Sequence, residues 1–159
     1  TGHLVLSTLH TNDSPSSLSR LLELGVAPYL IRATLRGIMS QRLVRMLCER
    51  CKVPATPEAG AWAELVAPWD LPPPAQCCRP RGCKRCRGTG YRGRRGIYEV
   101  LVNSPALQAL IAAPLDTGAV REVAMGEGMR ALRLSGAARV ARGETTIEEV
   151  MRVAPAVER

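Results

Sequence analysis

Cys48-Glu49-Arg50-Cys51 and Cys83-Lys84-Arg85-Cys86 are the two stretches on which the fold turns. Each is a C-x-x-C knuckle, a geometry in which two thiolates face one ion while neighbouring backbone N–H groups donate to the sulfurs. Together they offer four soft ligands, the closed tetrahedral set that suits structural Zn²⁺. The 31 residues between the pairs exceed the roughly 15–20 of a compact ribbon, so a metal here would tie off a sizeable loop. Two disulfides or four free thiols are the other readings of the same cysteines, and a chain with no secretory features argues against a disulfide framework. Beyond Glu49 the motif holds neither His nor carboxylate, and four thiolates leave no open position. The site reads as a staple and not as a reaction centre.

Charge gathers around the same place. The chain carries a net charge of +8, yet eight Lys and Arg and no Asp or Glu lie between Arg79 and Arg95, while the other 14 basic residues match the 14 acidic ones. Residues 79–95 would therefore attract phosphates, whether of lipid, nucleotide or nucleic acid, or would simply be a solvated arginine-rich loop. Tyr91 is the one aromatic residue nearby, which makes a poor stacking platform for single strands. No apolar run reaches the ~18 residues of a membrane span and no signal peptide opens the chain. A reducing, cytoplasmic setting is expected for the six cysteines. The start at Thr1, with no Met, reads like a cut from something longer.

From the first residues onward, Leu4 to Thr8 is a short apolar run that releases Ser7-Thr8-Leu9-His10-Thr11-Asn12. It reads as a buried strand with hydroxyl, imidazole and amide groups at its carboxyl end, where ligands sit in open α/β sheets. Both histidines, His3 and His10, flank this run. Asp13-Ser14-Pro15 predicts a capped helix through Leu18, Leu21 and Leu22 to Gly25, and Pro28 opens a second. Alternation from Ile38 to Leu47 predicts a strand feeding the first knuckle. Seven prolines crowd residues 54–80, with a short helix near Glu58 to Val66, in the lobe that a metal would tether. The adjacent Cys77 and Cys78 read as spectators. Gly82 to Gly96 is turn-rich, and Gly96 to Val102 a returning strand. Helices then start at Ser104-Pro105, Asp116-Thr117 and Met129, with Thr145 and Glu148 forming a capping box for the last. Their apolar positions, from Leu107 to Met151, would make one small helical core.

No G-x-x-x-x-G-K-[ST] loop is present, since Lys52 and Lys84 both follow non-glycine residues. A metalloprotease H-E-x-x-H and a hydrolase G-x-S-x-G are also missing. Taken alone, this chain should catalyse little.

Gly2-His3-Leu4-Val5-Leu6-Ser7-Thr8-Leu9-His10-Thr11-Asn12 closely resembles the histidine box of the ATPases that drive type II secretion and type IV pilus assembly. The likeness continues through Arg20 to Ile31, through Gln41 to Cys48 and Cys51, and through Gly82-Cys83, Cys86 and Thr89 to Glu99. It ends with Met129-Arg130 and Thr145 to Val150. Retraction ATPases of the same superfamily lack the cysteines, and the wording of residues 41–45 and 151–153 is nearer to type II secretion than to pilus assembly.

The resemblance implies an α/β fold, the C-terminal part of a RecA-like P-loop ATPase core with an inserted tetracysteine zinc lobe and a small C-terminal helical subdomain. On that reading residues 1–47 end the core, 48–95 form the zinc lobe, and 96–159 hold the return strand and helices. It further implies a parent that is a homo-hexamer hydrolysing ATP with Mg²⁺, peripheral to the cytoplasmic face of the bacterial inner membrane, working with secretion or pilus platform proteins there. The phosphate loop would precede Thr1, leaving this piece inactive alone. His10, with Thr8 and Asn12, would sense or position the γ-phosphate, and His3 would support the strand. Cys48, Cys51, Cys83 and Cys86 would hold Zn²⁺, and residues 79–95 could meet anionic phospholipid.

The arginine patch also permits a nucleic-acid-binding zinc module, or a structural adaptor. A chaperone-type cysteine module, suggested by the spacing from Cys83 to Gly90, would need four repeats, and the first knuckle lacks the glycines.

Overall fold

A computed structural model describes residues 2–157. The chain is mixed α/β with two small sheets, and its contacts divide it into two units. One takes in the chain up to Ile38 together with Val100–Met129; the other takes in Met39–Glu99 and the chain from Arg130.

The first unit is helical. α1 (Ser14–Glu23) starts where Asp13 Oδ1 accepts the Ser16 N–H at 2.9 Å, and α2 (Pro28–Thr34) starts on its proline. α4 (Pro105–Leu110) is capped by the Ser104 hydroxyl and α5 (Thr117–Gly126) by Asp116. Each cap satisfies an N–H that the first helical turn leaves free. Leu18, Ile31, Leu101, Leu107, Ile111, Val120, Ala124 and Met129 form the core of this unit.

In the chain, β1 (Gly37–Leu47) and β4 (Tyr91–Val102) pair with each other. Their alternation is the period of a half-buried strand: Ser40 and Val44 are buried on one, and Ile97, Glu99 and Leu101 on the other. The second unit adds the antiparallel pair β2 (Val53–Ala55) and β3 (Cys77–Arg79), with Pro54 opposite Cys78. α3 (Ala59–Val66), α6 (Leu132–Ala141) and α7 (Ile147–Val153) complete it. Val44, Trp62, Leu65, Val66, Ile97, Leu132, Val140, Ile147 and Val150 share its core. α6 and α7 approach so closely that a Cβ on Gly136 would collide with the Val150 side chain.

Four expectations are corrected. Leu4 to Thr8 is not a strand: residues 2–11 have no regular structure, and Leu4, Val5 and Leu6 are 76%, 79% and 89% exposed. A strand needs neighbours for its N–H and C=O groups, and among the described residues β1 pairs only with β4 and β2 only with β3. The late apolar residues do not form one helical core. Leu107, Ile111 and Val120 pack with Leu18 and Ile31, whereas Leu132, Val140, Ile147 and Val150 pack with Val44 and Trp62. α6 begins at Leu132, not Met129, because the buried Glu99 carboxylate accepts the Leu132 N–H at 3.2 Å and the cap residue, Ala131, has no acceptor of its own. The cap of α7 is Thr146, whose hydroxyl accepts from Glu149 N. Thr145 is instead drawn to β1, where its hydroxyl donates to the Arg45 carbonyl at 2.7 Å.

Glu149 completes that clasp. Only 1% exposed, it accepts the Arg45 N–H at 2.9 Å, and its two oxygens pair with the guanidinium groups of Arg45 and Arg152. Burial alone would raise its pKa. The hydrogen bonds from Arg45 and Arg152 override that and hold it at about 2, against an ordinary 4.5. Because the folded value lies below the unfolded one, the contribution is complete above about pH 4.5 and is lost as the pH falls towards 2. With both arginines half in water, it amounts to no more than about 3 kcal/mol. Denaturant unfolding of the wild type and Glu149→Gln across pH 2–7 should show the variant less stable at neutral pH, with the gap closing on acidification. A gap that stayed constant with pH would refute the assignment.

Candidate metal centre and histidine segment

Cys48 follows directly on β1, and its N–H donates to the Gly90 carbonyl just before β4, at 2.8 Å. Pairing of the two strands therefore delivers both knuckles to one place. In the first knuckle, Cys51 N and Lys52 N both donate to Cys48 O at 3.0 and 2.9 Å. In the second, a 3-10 turn at Lys84–Cys86 is closed by Cys86 N and Gly88 N donating to Cys83 O, with Arg87 in the left-handed region at φ 53°. Gly90, at φ 77°, permits the exit: a Cβ there would strike the Pro80 ring.

The four sulfurs of Cys48, Cys51, Cys83 and Cys86 lie within 4.8 Å of one another. Sγ of Cys86 is 3.8 Å from Sγ of both Cys51 and Cys83, the spacing of about 3.8 Å that a tetrahedral ion with 2.3 Å bonds to sulfur requires. All six cysteines are free thiols, so the disulfide reading fails. Cys83 N and Gly90 N each donate to Cys86 Sγ at 3.2 Å, the sulfur-directed N–H groups expected of a knuckle. Burial would raise the Cys86 thiol, but these donors and the neighbouring thiols bring it down to about 6; burial pushes Cys51 up to about 11. The four neighbouring thiols share their protons, and the N–H donors aimed at Cys86 favour the thiolate form that a metal would take. Cys77 and Cys78 stand apart in β3. Cys77 joins the core, and Cys78 Sγ lies close to Gly143.

His3, Thr8, His10 and Asn12 are all exposed, strung along the irregular opening segment. Among the described residues, that segment is tied down at its end. Thr11 Oγ1 and Ser17 Oγ share a hydrogen bond of 2.7 Å, and Asp13 Oδ2 accepts from Arg121 at 2.6 Å.

Local sequence reasoning missed a basic cleft of about 380 Å³ lined by Arg45, Thr89, Tyr91, Arg92, Gly93 and Arg94. The Arg45 guanidinium stacks 4.3 Å from the centre of the Tyr91 ring. The charge run announced Arg92 and Arg94; nothing near Arg45 in the chain announced its part. Among the described residues, no helix is long and apolar enough to cross a membrane.

Residues 1–152 match the family described as type II/IV secretion system protein. The type IV pilus assembly ATPase TfpB of Acinetobacter baylyi is 46% identical over 98% of this chain and 26% of its own length. PilB of Thermus thermophilus, also named a type IV pilus assembly ATPase, is 42% identical over 95% of this chain and 17% of its own. The type II secretion system ATPase E of Vibrio cholerae is 43% identical over 96% and 30%. Pilus and secretion relatives match at similar identity, so identity does not separate the two branches. The chain spans less than a third of the length of these relatives. With a matching family across almost its whole length and a four-thiol cluster suited to zinc, the chain belongs to the type II/IV secretion system protein family.

Proposed function

We propose that this chain is the C-terminal part of a hexameric ATPase that powers type II secretion or type IV pilus assembly, peripheral to the cytoplasmic face of the inner membrane. The observation that carries the reading is 46% identity to a pilus assembly ATPase across 98% of the chain. In this reading, residues 1–47 complete a RecA-like core, 48–95 form a zinc lobe, and 96–159 return to the motor as a strand and helices. The phosphate loop and the Mg²⁺ ligands belong to the rest of the parent, so the piece is inactive alone. ATP bound there would supply the γ-phosphate. Here His10, with Thr8 and Asn12, would hydrogen-bond to that phosphate and register its loss, and His3 would support the segment. In the full-length parent, His10→Ala should lower ATP turnover at least tenfold while the isolated piece hydrolyses none. Wild-type turnover by the variant would refute the role.

Cys48, Cys51, Cys83 and Cys86 would hold one Zn²⁺, which supplies a closed structural node and no open coordination position. Metal analysis should find one zinc per chain, lost in Cys83→Ser. Gly90→Ala keeps all four thiols but strains the turn that donates to Cys86 Sγ, so it should weaken zinc retention against a chelator. Full retention in both variants would sink the staple.

The Arg45, Arg92 and Arg94 cleft would meet the headgroups of anionic phospholipids beside the platform proteins of the membrane. Binding to vesicles containing phosphatidylglycerol, absent with pure phosphatidylcholine and reduced severalfold by Arg92→Ala with Arg94→Ala, is the expected result. Equal binding of wild type and variant would exclude the cleft.

A further inference from the structure

Among the described residues of the helical unit, one ion pair joins distant parts of the chain. Asp13 and Arg121 meet at 2.6 Å across 108 positions of sequence, their side chains 14% and 11% exposed. The other ion pair there, Arg20 with Glu23, is local and in water. Asp13 is used fully. Oδ1 caps α1 through Ser16 N, Oδ2 accepts from Arg121, and its carbonyl accepts the Ser17 hydroxyl at 3.1 Å. Three residues earlier stands His10, on a segment with no strand or helix to hold it. Between them, Thr11 is locked to Ser17. The orientation in which the histidine segment leaves the folded unit is therefore set at Thr11 to Asp13, and α5 grips that point through Arg121.

At its C-terminal end α5 is gripped again. Both Glu127 carboxylate oxygens, just beyond the helix, accept from the Ser104 hydroxyl at 2.7 and 2.8 Å. Ser104 is the cap of α4, and the neighbouring Asn103 donates to the Leu35 carbonyl at 2.9 Å. A displacement at Asp13 would accordingly pull on a helix held at its middle by Arg121 and at its C-terminal end by Glu127, not on a loop.

We propose that the Asp13–Arg121 pair is the joint that positions the histidine segment and couples it to α5, making both side chains positioning residues for nucleotide turnover. The inference rests on the proposed γ-phosphate role of His10. Neither residue touches nucleotide; each acts by fixing the direction from which the imidazole approaches. Paired at this degree of burial, the two charges hold one geometry where an exposed pair would wander.

The test uses the full-length protein containing this chain. Asp13→Asn keeps an oxygen to cap α1 but removes the charge; Arg121→Met removes the partner; Arg121→Lys restores the charge. Steady-state ATP hydrolysis per folded, hexameric molecule should show kcat lowered about tenfold in Asp13→Asn and in Arg121→Met, with KM for ATP within twofold. The double variant should be no worse than either single one, and Arg121→Lys should recover most of the loss. Unchanged kcat in both single variants would overturn the joint, as would effects that multiply in the double variant. So would losses that vanish once activity is scaled to the folded fraction. His10→Ala, measured alongside, separates the two ideas. An inactive His10→Ala with fully active Asp13→Asn and Arg121→Met defeats the joint alone, while a fully active His10→Ala defeats the γ-phosphate role on which it rests.

Discussion

The second unit depends on how the edge of β1 is closed at Arg45. A strand edge exposes N–H and C=O groups that must bond to something. Here the N–H goes to the Glu149 carboxylate and the carbonyl to the Thr145 hydroxyl, while two residues further on Leu47 N donates to Glu144 O at 2.8 Å. The stretch from Glu144 into α7 thus stands in for a third strand. The arrangement needs a buried charge, and the charge is tolerable because two guanidinium groups and a backbone N–H surround it. One residue past Leu47 begins the first knuckle. The clasp that seats α7 also fixes the point from which Cys48 and Cys51 are presented.

That geometry changes what a metal has to do. Closing a 31-residue loop costs chain entropy that grows only slowly with loop length, but most of that closure is already made by the fold. Cys48 N is bonded to Gly90 O, β2 is paired with β3, and Trp62, Leu65 and Val66 of α3 lie in the same core as α6 and α7. The Trp62 indole N–H is satisfied by Leu71 O at 2.8 Å within the lobe itself. The proline-rich stretch is therefore not a tether waiting to be tied. A bound ion would set the mutual position of four thiols that the strands have already brought together, which favours binding because little ordering is left to do.

The legible parts of this chain were the local ones. Cysteine spacing identified the four-thiol cluster and set Cys77 and Cys78 aside. Caps at Asp13, Ser104 and Asp116, and the alternation of β1, were read from a few neighbouring residues each. What escaped were partners set by the folded chain. Glu149 reaches Arg45 across 104 positions, Arg121 reaches Asp13 across 108, and Glu99 caps a helix 33 residues away. The shift of the α7 cap from Thr145 to Thr146 belongs to the same class, since a neighbouring strand claims the first hydroxyl. No window of local sequence carries that competition. The core was misjudged for a related reason: periodicity tells which face of a helix is apolar, not which of two clusters receives it.

The opening segment is the instructive exception, because there the local pattern and the structure disagree outright. Leu4-Val5-Leu6 has the continuous apolar character of a strand covered on both faces, yet the three are the most exposed large apolar residues among those described. The pattern records an environment, and the described residues do not supply it. A RecA-like sheet in the proposed parent would, by pairing the backbone and covering both faces. The histidine segment would then be held from two sides: by such a sheet along Leu4 to Thr8, and by the Asp13–Arg121 joint at its end. An imidazole held only at the joint would sweep a cone of positions. Held at both ends, it could stay within hydrogen-bonding range of a phosphate and move when that phosphate leaves, which is what a sensor requires and a free loop cannot provide.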